Sequence, residues 1–153
     1  MTLRRRLLGA ALLLPLTAPV AVRAASAPVI DIWKTPTCGC CGDWADHLRG
    51  AGFRVQVHEV SDTDPVRKRA GIAPQYASCH TGLVGGYAIE GHVPAQDIQR
   101  LLSERPEAAG LAVPAMPVGS PGMDGPAYGG RRDPYDVLLV QTNGQSRVWR
   151  AIR

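Results

Sequence analysis

Three of the four cysteines in this 153-residue chain fall within four positions, in Thr35-Pro36-Thr37-Cys38-Gly39-Cys40-Cys41-Gly42-Asp43-Trp44. No other stretch constrains the fold as strongly, because this one sits where a strand gives way to a helix. Before it, Val29 to Trp33 is short, apolar and β-branched, the pattern of a buried strand. After it, Trp44 and Leu48 recur at helical spacing in a segment from Cys41 to Gly50, and Gly50 or Gly52 ends it. Backbone N–H groups at a helix start have no partner within the helix and carry partial positive charge. They favour thiolate over thiol, and the thiolate is both the nucleophile and the metal ligand. The fourth cysteine, Cys79, lies far along the chain beside His80. The functional question is whether it comes back to the cluster.

The chain opens with Arg4-Arg5-Arg6, a largely apolar stretch from Leu7 to Val22, and small residues around Val22-Arg23-Ala24. That order predicts a secretory signal over residues 1–24. Pro15 and Pro19 break an apolar run already short for a membrane anchor. Arg4-Arg5 followed by Leu7-Leu8 also resembles a twin-arginine export signal. The expectation is an exported, periplasmic protein with no membrane attachment once the signal is gone. Removing the signal takes four arginines and leaves 13 basic against 13 acidic residues. The net charge of +4 therefore belongs to the signal and gives no argument for nucleic acid binding. Arg67-Lys68-Arg69 falls on a helical segment and is read as a solvated face. An oxidising compartment pairs thiols unless a metal or a reductant holds them. A stapling framework spaces its cysteines out, whereas Cys38, Cys40 and Cys41 crowd together.

Phe53 to Val60 alternates, with Phe53, Val55 and Val57 on one side and Arg54, Gln56 and His58 on the other, as a half-buried strand does. Ser61 or Asp62 caps a short helix that ends near Arg69. Ala73 to Thr81 is turn-rich. Gly82 to Gly85 and Tyr87 to Glu90 form a hairpin around Gly85-Gly86. Pro94 opens a helix running through Ile98 and Leu101 to about Glu104. Pro106 to Arg132 is a loop rich in Pro, Gly and Ala. Asp136 to Val140 and Ser146 to Trp149 flank Asn143-Gly144, a strong hairpin signal. The fold class is α/β. Its divisions are a signal (1–24), a core (28–105), and a loop with a C-terminal hairpin (106–153).

Strand, helix, strand, helix, strand, strand, helix, with Cys38-x-x-Cys41 after the first strand, resembles the thioredoxin fold. The resemblance implies a sheet flanked by helices and a dithiol at the first helix start. In that family a cis-proline precedes the third strand and faces the dithiol. His80 occupies the matching place here, which implies that Cys79 and His80 lie beside Cys38 and Cys41. The leader, TPTCGCCGDW, SCHT, EGHVP, MPVGSPGM and PYDVLLV together resemble the CopG-type family of exported metal-binding proteins, associated with copper resistance. The resemblance implies a metal site built from Cys38, Cys41 and Cys79, with Cys40 as a further thiol.

The residue types suit that chemistry. Soft thiolates and thioethers select Cu(I). Tetrahedral zinc on four cysteines, or three and a histidine, is the rival. Candidate ligands are Cys38, Cys40, Cys41, Cys79, His80 and Met123, with Met116 as a second thioether. His92 is read as a local capping or packing group, and His47 and His58 as bystanders. Trp33 and Trp44 are expected to pack around the cluster. The function expected is copper binding in resistance or homeostasis, with binding coupled to thiol redox change. Expected partners are copper ions and other periplasmic copper-handling or redox proteins. A thiol–disulfide oxidoreductase and a zinc-stabilised structural module are the alternatives, and whether the protein is catalytic stays open. The mature chain should begin near Ala25. N-terminal sequencing of periplasmic material that still starts at Met1 would overturn the export reading.

Overall fold

The structure, a computed structural model, describes residues 26–153. The expected signal lies outside the described residues. Seven strands form one mixed sheet in the order β2-β1-β3-β4-β5-β6-β7. The strands are β1 (Val29–Lys34), β2 (Arg54–Glu59), β3 (His80–Val84), β4 (Tyr87–Glu90), β5 (Gly110–Ala112), β6 (Tyr135–Val140) and β7 (Ser146–Ile152). The helices are α1 (Gly39–Gly50), α2 (Asp64–Arg69) and α3 (Ala95–Glu104). β1 pairs parallel with β2 and antiparallel with β3, and β3 pairs antiparallel with β4.

Alternation along β1 buries Ile30 and Ile32 against Trp44 and Leu48 of α1 and Ile98 and Leu101 of α3. A smaller cluster of Ile72, Tyr76, Ala88, Ala112 and Val140 packs separately. It includes residues from the segment after α2 and from β4, β5 and β6.

Three local departures from the sequence reading bear on the site. Helix α1 starts at Gly39, so Cys40 and Cys41 lie in its first turn and Cys38 is its N-cap. Strand β3 starts at His80 and not at Gly82, and Lys34 faces His80 in the register. Residues 106–132 are not wholly loop, because Gly110–Ala112 forms β5. This strand is parallel to β4 and antiparallel to β6, and so carries the C-terminal hairpin into the same sheet. Its Gly-Leu-Ala sequence has little strand propensity. Gly110 is required by space, since a Cβ there would overlap the Ala88 carbonyl oxygen.

The basic triplet also departs from its reading. Lys68 and Arg69 are exposed, but Arg67 turns inward, 6% exposed, and its Nε donates to Glu90 at 3.0 Å. At the other end, Arg150 of β7 donates through Nε to both carboxylate oxygens of Asp97 on α3, at 2.9 and 3.1 Å. Gly110→Ala should cost about 3 kcal/mol, because the clash is with backbone and no rotamer relieves it. Gly50→Ala, with open space around it, should be neutral or slightly stabilising. Urea denaturation of the two variants checks the contrast. Equal stability would show that β5 is not held as tightly as the register implies.

Candidate metal centre

Cys38 has extended backbone (φ −80°, ψ 94°), and its N–H donates to the Thr35 carbonyl at 3.1 Å. Cys38 makes no side-chain cap hydrogen bond and no acidic residue lies in the first turn of the helix. Positions three apart share a helix face. Cys38 and Cys41 are joined in a disulfide, with their Cα atoms 5.5 Å apart. Cys40 and Cys79 are free thiols, and Cys40 Sγ lies 3.6 Å from Cys38 Sγ.

Cys79 does return to the cluster. The sulfurs of Cys38, Cys40, Cys41 and Cys79 all lie within 4.8 Å of one another. Cys79 also belongs to a second group, with His80 and His92, whose donor atoms are equally close. Its Sγ is 3.4 Å from His80 Nδ1 and 3.3 Å from His92 Nε2. The outer ring nitrogens are occupied by backbone. His80 Nε2–H donates to the Gly91 carbonyl at 3.0 Å, and His92 Nδ1–H donates to the Pro121 carbonyl at 2.8 Å. In a neutral imidazole this assigns the tautomer, leaving both inner nitrogens as bare acceptors. Two lone pairs therefore face one sulfur that carries one proton.

Burial sets the charge state. It pushes the Cys79 thiol up to about 12, helped by the neighbouring Cys40 and opposed by a hydrogen bond from the Ser78 hydroxyl. Burial lowers His80 to about 3, with His92 and Lys34 acting in the same direction and the Gly91 carbonyl against them. His92 is lowered too, mainly by burial, against the Pro121 carbonyl and Asp124. At neutral pH the trio is uncharged. Trp44 packs beside it, its ring tilted by 33° against that of His80 with centroids 4.2 Å apart, and its Nε1–H donates to the Val93 carbonyl at 2.8 Å.

The loop from Pro117 to Asp124 forms a roof over the first turn of α1. A Cβ at Gly122 would lie 2.7 Å from the Cys40 carbonyl oxygen and 2.8 Å from the Trp44 nitrogen, so only glycine permits this approach. Met123 is buried in this loop, and its Sδ accepts a hydrogen bond from the Tyr128 hydroxyl at 3.2 Å. Met116 is exposed.

The structure thus brings Cys38, Cys40, Cys41, Cys79 and His80 together and adds His92. Of the two roles read for His92, capping or packing, the structure shows packing, fully buried against His80, and its Nε2 also faces Cys79 Sγ. The N–H of Ala95 at the start of α3 donates instead to His47 Nε2 at 3.0 Å. The signal for His92 was present in the hairpin. A two-residue turn at Gly85-Gly86 pairs Thr81 with Glu90, which sets His80 beside Gly91 and brings His92 alongside. Trp33 stacks on His58 at 4.8 Å, and His58 is bonded to Asp31 at 2.7 Å.

Fold and site together define a small α/β protein with a sulfur–imidazole cluster of metal-binding type. Two solved structures match it, titled "Copper resistance protein copG" in Form 2 and Form 1. The first is 43% identical with a TM-score of 0.77, covering 83% of this chain and 99% of its own. The second is 44% identical with a TM-score of 0.75, covering 81% and 96%. A family model described as "Protein of unknown function, DUF411" matches residues 76–123, from Tyr76 through Cys79, His80 and His92 to Met123. No curated protein matches the chain. The chain belongs to the CopG family of copper resistance proteins.

The lowered histidines make the metal-free protein acid-sensitive. Unfolded, His80 takes a proton below its ordinary value of 6.5; folded, it refuses one down to about 3. The unfolded state then binds more protons, so stability falls as pH falls through that window. From about pH 7.5 to about pH 5 the loss due to His80 alone should be about 2 kcal/mol, and His92 adds to it. Urea denaturation at both pH values checks this, with His80→Asn expected to flatten the dependence. Equal stability of the wild-type protein at both would show that His80 titrates normally.

Proposed function

We propose that this protein binds Cu(I) as cargo in the bacterial periplasm, in copper resistance or homeostasis, and that binding is coupled to the redox state of its thiols. The observation that carries the reading is the Cys79 trio, in which one thiol proton serves two fixed imidazole lone pairs. Replacing that proton with a metal cation satisfies all three donors. The proton released makes binding favour higher pH. Thiolate sulfur beside imidazole suits copper, and more sulfur shifts the preference toward Cu(I). The copper resistance proteins it resembles support the same metal.

In this reading Cys38, Cys40, Cys41 and Cys79 supply sulfur, with His80 and His92 on the inner side. Met123 is the candidate thioether in the roof, and its ligation requires giving up the Tyr128 hydrogen bond. The Cys38–Cys41 disulfide withholds two of the four sulfurs, since a disulfide sulfur is no longer a thiolate; its two-electron reduction restores them. The scaffold is thioredoxin-like in this reading. Supporting that are the β2-β1-β3-β4 order, the parallel β1–β2 crossover through α1, and the antiparallel β3–β4 pair.

A second reading, thiol–disulfide exchange with protein partners, is favoured by the free thiol of Cys40 at 3.6 Å from the bonded Cys38. Cys79→Ala separates the two. Cu(I) affinity, measured against a Cu(I) chelator on reduced protein, should fall at least ~10-fold, since even outer partners of a site reach that size. The Cys38–Cys41 disulfide, followed by counting free thiols, should still form. Unchanged affinity would remove Cys79 from the site and leave thiol exchange as the better account. Retention of zinc with loss of Cu(I) in a parallel competition would reverse the choice of metal.

A further inference from the structure

We infer that Glu90 is the positioning residue of this centre, its carboxylate clamping the Cys79-His80 pair from both sides so that their donor atoms face His92. The inference rests on the copper-site reading above. Glu90 is fully buried, a costly place for a carboxylate without partners. Its Oε1 accepts from the Ser78 backbone N–H at 2.7 Å and from Arg67 Nε at 3.0 Å. Its Oε2 accepts from the Thr81 hydroxyl at 2.7 Å. Ser78 immediately precedes Cys79, and Thr81 immediately follows His80. The two residues that present a sulfur and a ring nitrogen are thus held at both ends by one side chain.

The backbone of the same residue delivers the third donor. Glu90 pairs with Thr81 in the sheet, the next N–H, of Gly91, donates to the His80 carbonyl at 3.1 Å, and His92 follows. Gly91 has a positive φ of 73°, and a Cβ there would meet Ser78 Cβ at 2.7 Å. The turn that presents His92 therefore packs directly on the segment that Glu90 holds.

A simple buried ion pair with Arg67 would explain less. Arg67 already has Asp64 Oδ1 at 2.7 Å and Thr63 Oγ1 at 3.2 Å. Two of the three bonds to Glu90 go to the flanks of the donor pair and not to a cation. Partners one step removed from a ligand fix its orientation, and their loss weakens metal binding about 10–100-fold.

The test compares Glu90→Ala, Glu90→Gln and Cys79→Ala in the whole mature protein. The readouts are Cu(I) affinity against a chelator, the sulfur and imidazole content of the copper shell by X-ray absorption, and thermal unfolding. Glu90→Ala should lower Cu(I) affinity about 10–100-fold and deplete imidazole from the shell. Glu90→Gln keeps an oxygen for Ser78 and Arg67 and offers its amide N–H to the Thr81 oxygen. It should unfold at lower temperature, because Arg67 loses a charged partner, yet bind Cu(I) nearly as the wild type does. If affinity in both variants simply tracked thermal stability, or if Glu90→Ala bound Cu(I) normally with an unchanged shell, the positioning role would be overturned. Should Glu90→Ala not fold, Thr81→Val removes one bond of the clamp. It should give a smaller loss of the same kind, and no loss would overturn the proposal. Cys79→Ala keeps the two failures apart. Weakened copper there with normal copper in Glu90→Ala sinks only the clamp, whereas normal copper in Cys79→Ala sinks the site itself.

Discussion

The antiparallel pairing of β3 with β4 is the constraint on which the centre depends. The two-residue turn at Gly85-Gly86 sets the register, and the register sets which residues meet at the open end. Cys79 and His80 arrive there at the start of β3, and Gly91 and His92 just past the end of β4. β1 then pairs with β3 and places Lys34 opposite His80, so the chain leaves β1 and enters α1 close to Cys79. A slip of one residue would turn the side chains of β4 to the opposite face. Glu90 would then point away from Ser78 and Thr81.

Convergence at a sheet end leaves polar groups buried, and each must be satisfied or held neutral. The solution here uses backbone. Carbonyls of Gly91 and Pro121 take the outer protons of His80 and His92, and the Ser78 N–H takes the Glu90 carboxylate. Backbone partners have no side-chain rotamer to lose and are positioned by the fold itself. That makes the roof loop a working part of the site, since its Pro121 carbonyl selects the His92 tautomer. It also explains why the roof carries a glycine at its closest approach to α1. The Cys79, His80 and His92 trio is uncharged at rest, so its low-dielectric surroundings cost little until a proton leaves Cys79.

Much of the architecture was legible because it is local. The short apolar, β-branched run of Val29 to Trp33, the helical spacing of Trp44 and Leu48, and the turns at Gly85-Gly86 and Asn143-Gly144 each carry their own signal. β5 was not legible, because Gly110-Leu111-Ala112 is strand only by virtue of the strands on either side. Arg67 was missed for a similar reason: a basic residue in a basic triplet looks solvated until its buried partner is known, and Glu90 lies 23 positions away. At the site, the crowding of Cys38, Cys40 and Cys41 was plain in the sequence. The approach of Cys79 was drawn from resemblance. His92 required the hairpin register to be carried two residues past the last paired strand position, and its partner Pro121 belongs to a loop whose path no periodicity encodes.

The two donor groups share Cys79, and that sharing gives the disulfide its significance in the proposed function. Oxidation of Cys38 and Cys41 removes two sulfurs from the four-sulfur group but touches neither imidazole nor Cys79. What remains is Cys40 and Cys79 with two ring nitrogens, a donor set of mixed softness in place of a sulfur-rich one. In that reading fewer thiolates weaken the preference for Cu(I) without dismantling the trio, because Glu90, Gly91 and Pro121 hold Cys79, His80 and His92 through bonds that do not involve the disulfide. Under the proposed function, the redox state of one cysteine pair would alter the kind of ligand the centre offers, while the strand register that builds the centre stays the same.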